Sequence, residues 1–153
     1  MIFISVGTQK QSFRRLFHLV EDSKVISNQR IIAQMGHTEY SSTKIESIPF
    51  MSNELYKKYM SESDIVICHG GVGTIFDALY AGKKVLAIPR LARYDEHVDD
   101  HQIEICKELE KEGYILYLKE YDLFDDVMKK LIETNFKKYV PNEDYLDILR
   151  REI

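Results

Sequence analysis

Short apolar runs alternate with segments of helical periodicity along this chain, and that alternation restricts its fold more than any other feature. Residues 2–6 form a β-branched run that ends at Gly7-Thr8, the pattern of a buried strand entering a turn. Phe13, Leu16, Phe17 and Val20 then recur at the spacing of a helix with one apolar face. Residues 30–35 predict a second strand, stopped by Gly36. After a polar stretch, residues 44–48 predict a weaker third strand, broken by Pro49. Ser52 is the expected N-cap of a helix carrying Leu55, Tyr56, Tyr59 and Met60. Residues 64–69 predict a fourth strand running into Gly70-Gly71-Val72-Gly73-Thr74, and a helix over 74–81 that ends at Gly82. Fifth and sixth strands are expected at 85–89 and 114–118, with helices over 100–112 and 122–135. A last amphipathic stretch, 142–153, follows Pro141 and carries Tyr145, Ile148 and Leu149. This order predicts a doubly wound α/β domain whose mostly parallel six-stranded sheet is covered on both faces.

Composition narrows the function classes. Of 153 residues, 44% are hydrophobic, enough for a real core, and the formal net charge is only −4. A polyanion binder would need a basic face, so a nucleic-acid partner is not expected. Two cysteines, Cys68 and Cys106, are too few for a disulfide framework and fit a reducing, cytoplasmic setting. No apolar run approaches the roughly 20 residues needed to span a bilayer. The first residues lack the basic and apolar regions of a signal peptide. One domain is expected over 1–135, with 136–153 a tail that packs on it or docks on a partner. A chain of this length is small for an enzyme that must hold two large substrates.

In open α/β sheets, ligands bind at the carboxyl ends of the strands, near the point where strand order reverses. Four of the seven glycines, Gly7, Gly70, Gly71 and Gly73, lie at the ends of the first and fourth strands. Glycines admit close backbone approach and positive φ, and the helix that follows this glycine turn aims its free N–H groups at the same place. Thr74 adds a hydroxyl, and Asp77 lies one turn on. The segment is neither a Walker A loop nor a G-x-G-x-x-G fingerprint, so phosphate binding and a plain tight turn stand level on local sequence. Residues 95–102 mix carboxylates with His97 and His101, which invites a metal reading. The run lacks a clean helical histidine pair, so a solvated acidic loop with N-capping aspartates is the expectation, and no metal site is assigned. A third reading has Asp100, His101 and Gln102 hydrogen-bonding a polyhydroxylated ligand. Cys68 and Cys106 read as buried small hydrophobes.

The order of these motifs is what resembles a known family. Residues 63–74, then Gly82-Lys83-Lys84-Val85, Ile88-Pro89, Asp100-His101-Gln102 and Gly113, are similar to the C-terminal, donor-binding domain of glycosyltransferase family 28. Over 1–135 the chain resembles the small catalytic subunits of that family's split enzymes. These are eukaryotic transferases of N-acetylglucosamine to dolichol-linked acceptors, and bacterial capsule and exopolysaccharide transferases. The resemblance implies the donor half of a GT-B enzyme with a Rossmann-like fold, using a UDP-sugar, inverting, with no metal cofactor. It also implies a separate, membrane-anchored subunit that supplies the lipid-linked acceptor site and recruits this chain to the membrane's inner face. Gly7 and Thr8 would lie near the diphosphate, and Phe50 and Met51 at the uracil base. Gly70, Gly71, Val72, Gly73 and Thr74 would hold the diphosphate, while Asp77 falls where the family usually has a Glu on the ribose. Asp100 opens the motif in which His101 and Gln102 would contact the donor sugar. The general base is open between His69, His37 and an acid of the partner. The shortened Asp77 also leaves room for a subunit that keeps the fold without catalysing.

Overall fold

The computed structural model describes residues 1–97 and 99–140. Among these, six strands form one sheet: β1 (Ile2–Ser5), β2 (Ile31–Gln34), β3 (Glu46–Ile48), β4 (Ile65–His69), β5 (Lys84–Ile88) and β6 (Leu116–Tyr117). Their order is β3-β2-β1-β4-β5-β6, and every neighbouring pair is parallel. The helices are α1 (Arg14–Asp22), α2 (Asn53–Glu62), α3 (Val72–Tyr80), α4 (His101–Lys111) and α5 (Phe124–Glu133). This is the Rossmann-like α/β architecture that the alternation predicts.

Side-chain alternation along the strands divides the core in two. Ile2, Ile4, Ile67, Leu86 and Ile88 meet Leu16, Phe17 and Val20 of α1 and Met128 and Leu131 of α5. Phe3, Val66, Cys68, Val85 and Ala87 point the other way, against Met60 of α2, Ile75, Phe76 and Leu79 of α3, and Ile105 and Leu109 of α4. Both faces are covered, which is why the central strands are near-continuous apolar runs rather than alternating ones.

Three expectations shift. The sheet is wholly rather than mostly parallel. The edge strands β3 and β6 are shorter than their apolar runs, because each pairs on one side only. Helix α3 starts at Val72, two residues early, because the extended Gly71 (φ −75°, ψ 131°) is its N-cap and its carbonyl accepts from Ile75 N–H at 3.2 Å. Val72 and Gly73 therefore lie in the first turn of the helix with Thr74, rather than before it.

Beyond α5, Lys137 N–H donates to Gly113 O, and Tyr139 packs its ring against Phe76, Tyr80 and Tyr114. Lys137 and Tyr139 thus pack against α3 and the segment before β6, and the stretch 142–153 lies outside the described residues. Among the described residues no helix is long and apolar enough to cross a membrane.

Candidate functional site

The strand order reverses between β1 and β4, so the crevice available to a ligand opens where these two strands end. Gly7 follows β1, and Gly70-Gly71 follow β4. Gly7 holds φ +75°, and a Cβ there would stand 2.6 Å from His69 Nε2. Gly36, after β2, holds φ +58°, and its Cβ would meet Gly7 O at 2.7 Å. The ends of β1, β2 and β4 are therefore in direct contact, and the first two junctions combine positive φ with no room for a Cβ.

At the fourth strand, glycine serves a different purpose from the one expected. Gly70, Gly71 and Gly73 all lack positive φ. What excludes a side chain at the first two is space: a Cβ on Gly70 would lie 2.6 Å from Gln102 Cβ, and one on Gly71 would lie 2.0 Å from His69 Cε1. Gly73 faces nothing within 4 Å. The N–H groups of Val72, Gly73 and Thr74 have no partner inside the helix, and the positive end of the α3 dipole sits with them. An open, donor-rich helix start beside a β1–β4 crevice has the donors and the dipole sign to receive an anion.

Gln102 organises the floor of this crevice. Its Oε1 accepts from Gly70 N–H and from Arg90 N–H, each at 3.0 Å. Two backbone donors fix which end of the amide is oxygen, so its NH2 faces His69 Nδ1 at 3.3 Å. An NH2 only donates, so Nδ1 is the acceptor and the imidazole proton sits on Nε2. Burial, with the Arg90 and His97 charges adding to it, pushes the His69 pKa down to about 3. His69 is thus a neutral ring with its proton on Nε2, the atom nearest Gly7. Gln102 is 5% exposed and both ends of its amide are engaged by the protein itself.

Two buried charges that the sequence showed only as a loop complete this floor. Arg90, 1% exposed, donates from Nη2 to Val6 O (2.7 Å) and from Nη1 to Gln11 O (2.8 Å) and Glu96 O (3.0 Å). Its guanidinium lies 4.8 Å from the centre of the Phe13 ring. Burial lowers its pKa to about 10, opposed by the charge of Glu96. Glu96 is itself buried, which corrects the expectation of a solvated acidic loop. Its carboxylate takes Arg15 in a two-pronged pair at 2.9 and 3.0 Å and accepts from Leu91 N–H at 3.0 Å. The only available signal was an Arg directly after a buried strand with a Glu six residues on, too weak to single out.

The remaining expected residues fall into three groups. Tyr56 of α2 donates to Asp77 Oδ2 at 3.1 Å and also hydrogen-bonds the Thr74 hydroxyl, so α2 braces the solvent side of α3. Burial and the Asp77 charge raise the Tyr56 pKa, so the phenol keeps its proton. Phe50 is half exposed with the His37 ring edge-on at 5.2 Å, and Met51 packs into the core beside them. Asp100 accepts from Ala92 N–H at 3.0 Å, so it ties down a loop, and Asp99 accepts from His101 N–H at the same distance. The expectation that Asp100 caps α4 with its side chain is not met, although it is the N-cap by position. His101 and Thr8 stand exposed at the rim. Among the described residues no group of three His, Cys, Asp or Glu could hold a metal ion. Cys68 is buried, and burial holds its thiol protonated, with a pKa of about 12.

Comparison with known proteins bears on this site. The model of the Glycosyltransferase family 28 C-terminal domain matches residues 1–145. The UDP-N-acetylglucosamine transferase subunit ALG13 of Candida albicans is 31% identical over 78 residues, 51% of this chain and 25% of that protein. A UDP-N-acetylglucosamine--N-acetylmuramyl-(pentapeptide) pyrophosphoryl-undecaprenol N-acetylglucosamine transferase of Prochlorococcus marinus is 23% identical across 100% of this chain and 43% of its own length. The chain therefore spans less than half of either curated relative. The solution structure of ALG13 superposes with a TM-score of 0.62 at 20% identity, covering 97% of this chain and 93% of that one. That likeness speaks to the fold.

Proposed function

The chain belongs to glycosyltransferase family 28, matching its C-terminal domain, and on that premise we propose that it is the nucleotide-sugar-binding, catalytic subunit of a two-component inverting transferase. In this reading it moves a hexose from a UDP-sugar to a lipid-linked acceptor in polysaccharide biosynthesis. A membrane-anchored partner subunit carries the acceptor. The observation that carries the reading is the β1–β4 crevice, where Gly7 and Gly71, the N-cap of α3, both lie against the His69 ring and leave the donor-rich helix start open to an anion. The relatives, named as UDP-N-acetylglucosamine transferases and one of them as a subunit, support both the donor class and a partner.

The chemistry follows from where charge develops. As the anomeric carbon leaves the diphosphate, negative charge grows on the leaving phosphate. N–H groups already aimed at that point stabilise it without reorganising. The first turn of α3 and the Nε2–H near Gly7 are such groups. The acceptor hydroxyl attacks from the opposite side, with inversion, and its proton passes to a general base. The His69 Nδ1 lone pair is occupied by Gln102 and its Nε2 is already protonated. That argues for His37 or an acid of the partner as the base.

The test is a panel of UDP-sugars scored by thermal unfolding of the purified chain. A ligand at 100 times its Kd adds about 2.7 kcal/mol of stability. For a domain of this size that is a rise of roughly 5–11 °C in Tm. One UDP-sugar should give the largest rise, and adding the partner should then yield sugar transfer. No shift with any uridine diphosphate compound at millimolar concentration would overturn the donor reading. Binding without transfer in the complete complex would instead favour a non-catalytic subunit.

A further inference from the structure

Arg90 is the largest fully buried side chain among the described residues, and all three of its hydrogen bonds go to main-chain carbonyls of two separate loops. Val6 and Gln11 flank the loop that carries Gly7 and Thr8, and Glu96 lies in the loop that leads to Asp100 and His101. The Arg90 N–H adds a third connection, through Gln102 Oε1 to Gly70 N–H at the start of the glycine turn. Phe13 closes one face of the guanidinium, and Glu96 is held from outside by Arg15. Such a hub is costly in isolation, because a buried guanidinium gives up its water. Apolar side chains at this place would fill the volume but could not tie the carbonyls of the two loops together.

We infer that Arg90 is a positioning residue of the donor cleft, a clamp that holds the β1–α1 and β5–α4 loops at a fixed separation so that Gly7 and the start of α4 converge on one ligand. This rests on the reading of the crevice as a nucleotide-sugar site. It assigns Arg90 no contact with the sugar or the phosphates. Gln102 works in the same unit, joining the clamp to the glycine turn and setting the imidazole proton of His69.

The experiment compares Arg90→Met and Arg90→Lys with Ile26→Ala in the full chain. Ile26 is buried in the loop leading into β2, at the end of the parallel strands opposite to Arg90, and serves as a control for lost stability. Two quantities are read well below each variant's Tm: amide hydrogen exchange over residues 8–11 and 91–96, and the Kd for UDP. In Arg90→Met, exchange should rise together in both loops, and the Kd for UDP should rise roughly tenfold or more, as misplaced binding groups do. Arg90→Lys keeps the charge but cannot span three carbonyls, and should fall between wild type and Arg90→Met. Ile26→Ala should leave both quantities within about twofold at a comparable loss of Tm. The clamp is refuted if only one loop loosens, if neither does, or if Ile26→Ala reproduces the pattern. Should Arg90→Met not fold, the exchange pattern of Arg90→Lys decides. Should the wild type bind no UDP, the nucleotide reading falls while exchange still judges the clamp.

Discussion

Two alanine substitutions two residues apart should act in opposite directions, and the contrast tests the geometry of the glycine turn. Gly71 has an ordinary φ of −75°, so Gly71→Ala adds no backbone strain. Its new Cβ would stand 2.0 Å from His69 Cε1 and 2.7 Å from Nε2. Relieving that overlap needs a ring displacement of more than about 1 Å for carbon atoms that prefer roughly 3.5–4.0 Å. The ring cannot give way cheaply, because Gln102 holds Nδ1 and is itself held by two backbone N–H groups. Overpacking of this kind costs about 1–3 kcal/mol, or roughly 2–12 °C of Tm at this chain length. Gly73 sits inside α3 with nothing within 4 Å of its Cβ position. There alanine gains about 0.5–1 kcal/mol of helix propensity and should raise the Tm of the free protein by roughly 1–4 °C. The same methyl would stand where a diphosphate approaches the first turn, so Gly73→Ala should weaken UDP binding while stabilising the fold. Thermal unfolding with and without UDP reads both effects. A lowered Tm for Gly73→Ala would refute the placement of α3. Unchanged UDP affinity in a stabilised Gly73→Ala would refute the approach of the ligand to that face.

Three further outcomes follow from the floor of the crevice. The His69 pKa is depressed to about 3 in the folded chain against about 6.5 unfolded, so the unfolded state binds the extra proton as pH falls. The stability is complete above about pH 6.5 and should drop by about 2 kcal/mol between pH 7 and 5; in denaturant titrations His69→Gln should lack that increment. Arg15→Met strips the partner from the buried Glu96 carboxylate and should cost about 3 kcal/mol, whereas Arg15→Met with Glu96→Gln should recover most of it in the same titrations. Tyr56→Phe removes the phenol between Thr74 and Asp77, and should leave Tm within about 3 °C while weakening uridine nucleotides relative to inorganic diphosphate by calorimetry.

The fold was legible because hydrophobic periodicity is local. Strands β1, β4 and β5 are four- and five-residue runs buried on both faces, and a parallel sheet requires that pattern. The order of motifs made the family legible as well. Strand ends were less so: β3 and β6 are cut short by having one neighbour, a fact of topology rather than of composition. The glycine turn was located correctly, yet its reason was not visible. Gly70 and Gly71 are glycine because Gln102 and His69 stand where a Cβ would go; Gln102 lies 32 positions from Gly70, and the His69 ring, only two residues from Gly71, is turned there by Gln102, so neither contact leaves a local signal. The buried charges were hidden for the same reason. Arg90 and Glu96 sit in a run that looks solvated, and the partners that make their burial tolerable include distant ones, the carbonyls of Val6 and Gln11 and the guanidinium of Arg15.

The same contacts bear on how acid–base work divides between the two subunits of the proposed enzyme. A general base needs a free lone pair within reach of the acceptor and a pKa near the working pH. His69 has neither, since Gln102 occupies Nδ1 and burial holds the ring neutral down to about pH 3. What it offers is an N–H donor whose state does not change across the physiological range, the property wanted next to a leaving diphosphate. His37 lies exposed against Phe50, at the ends of β2 and β3 rather than at the β1–β4 crevice. In the proposed enzyme the donor half would therefore hold and stabilise the leaving group, and the proton of the acceptor would pass to the half that holds the acceptor. If so, the acidic limb of the pH–rate profile should belong to the partner. It should move with substitutions there and stay in place in a His69→Gln variant that still binds UDP.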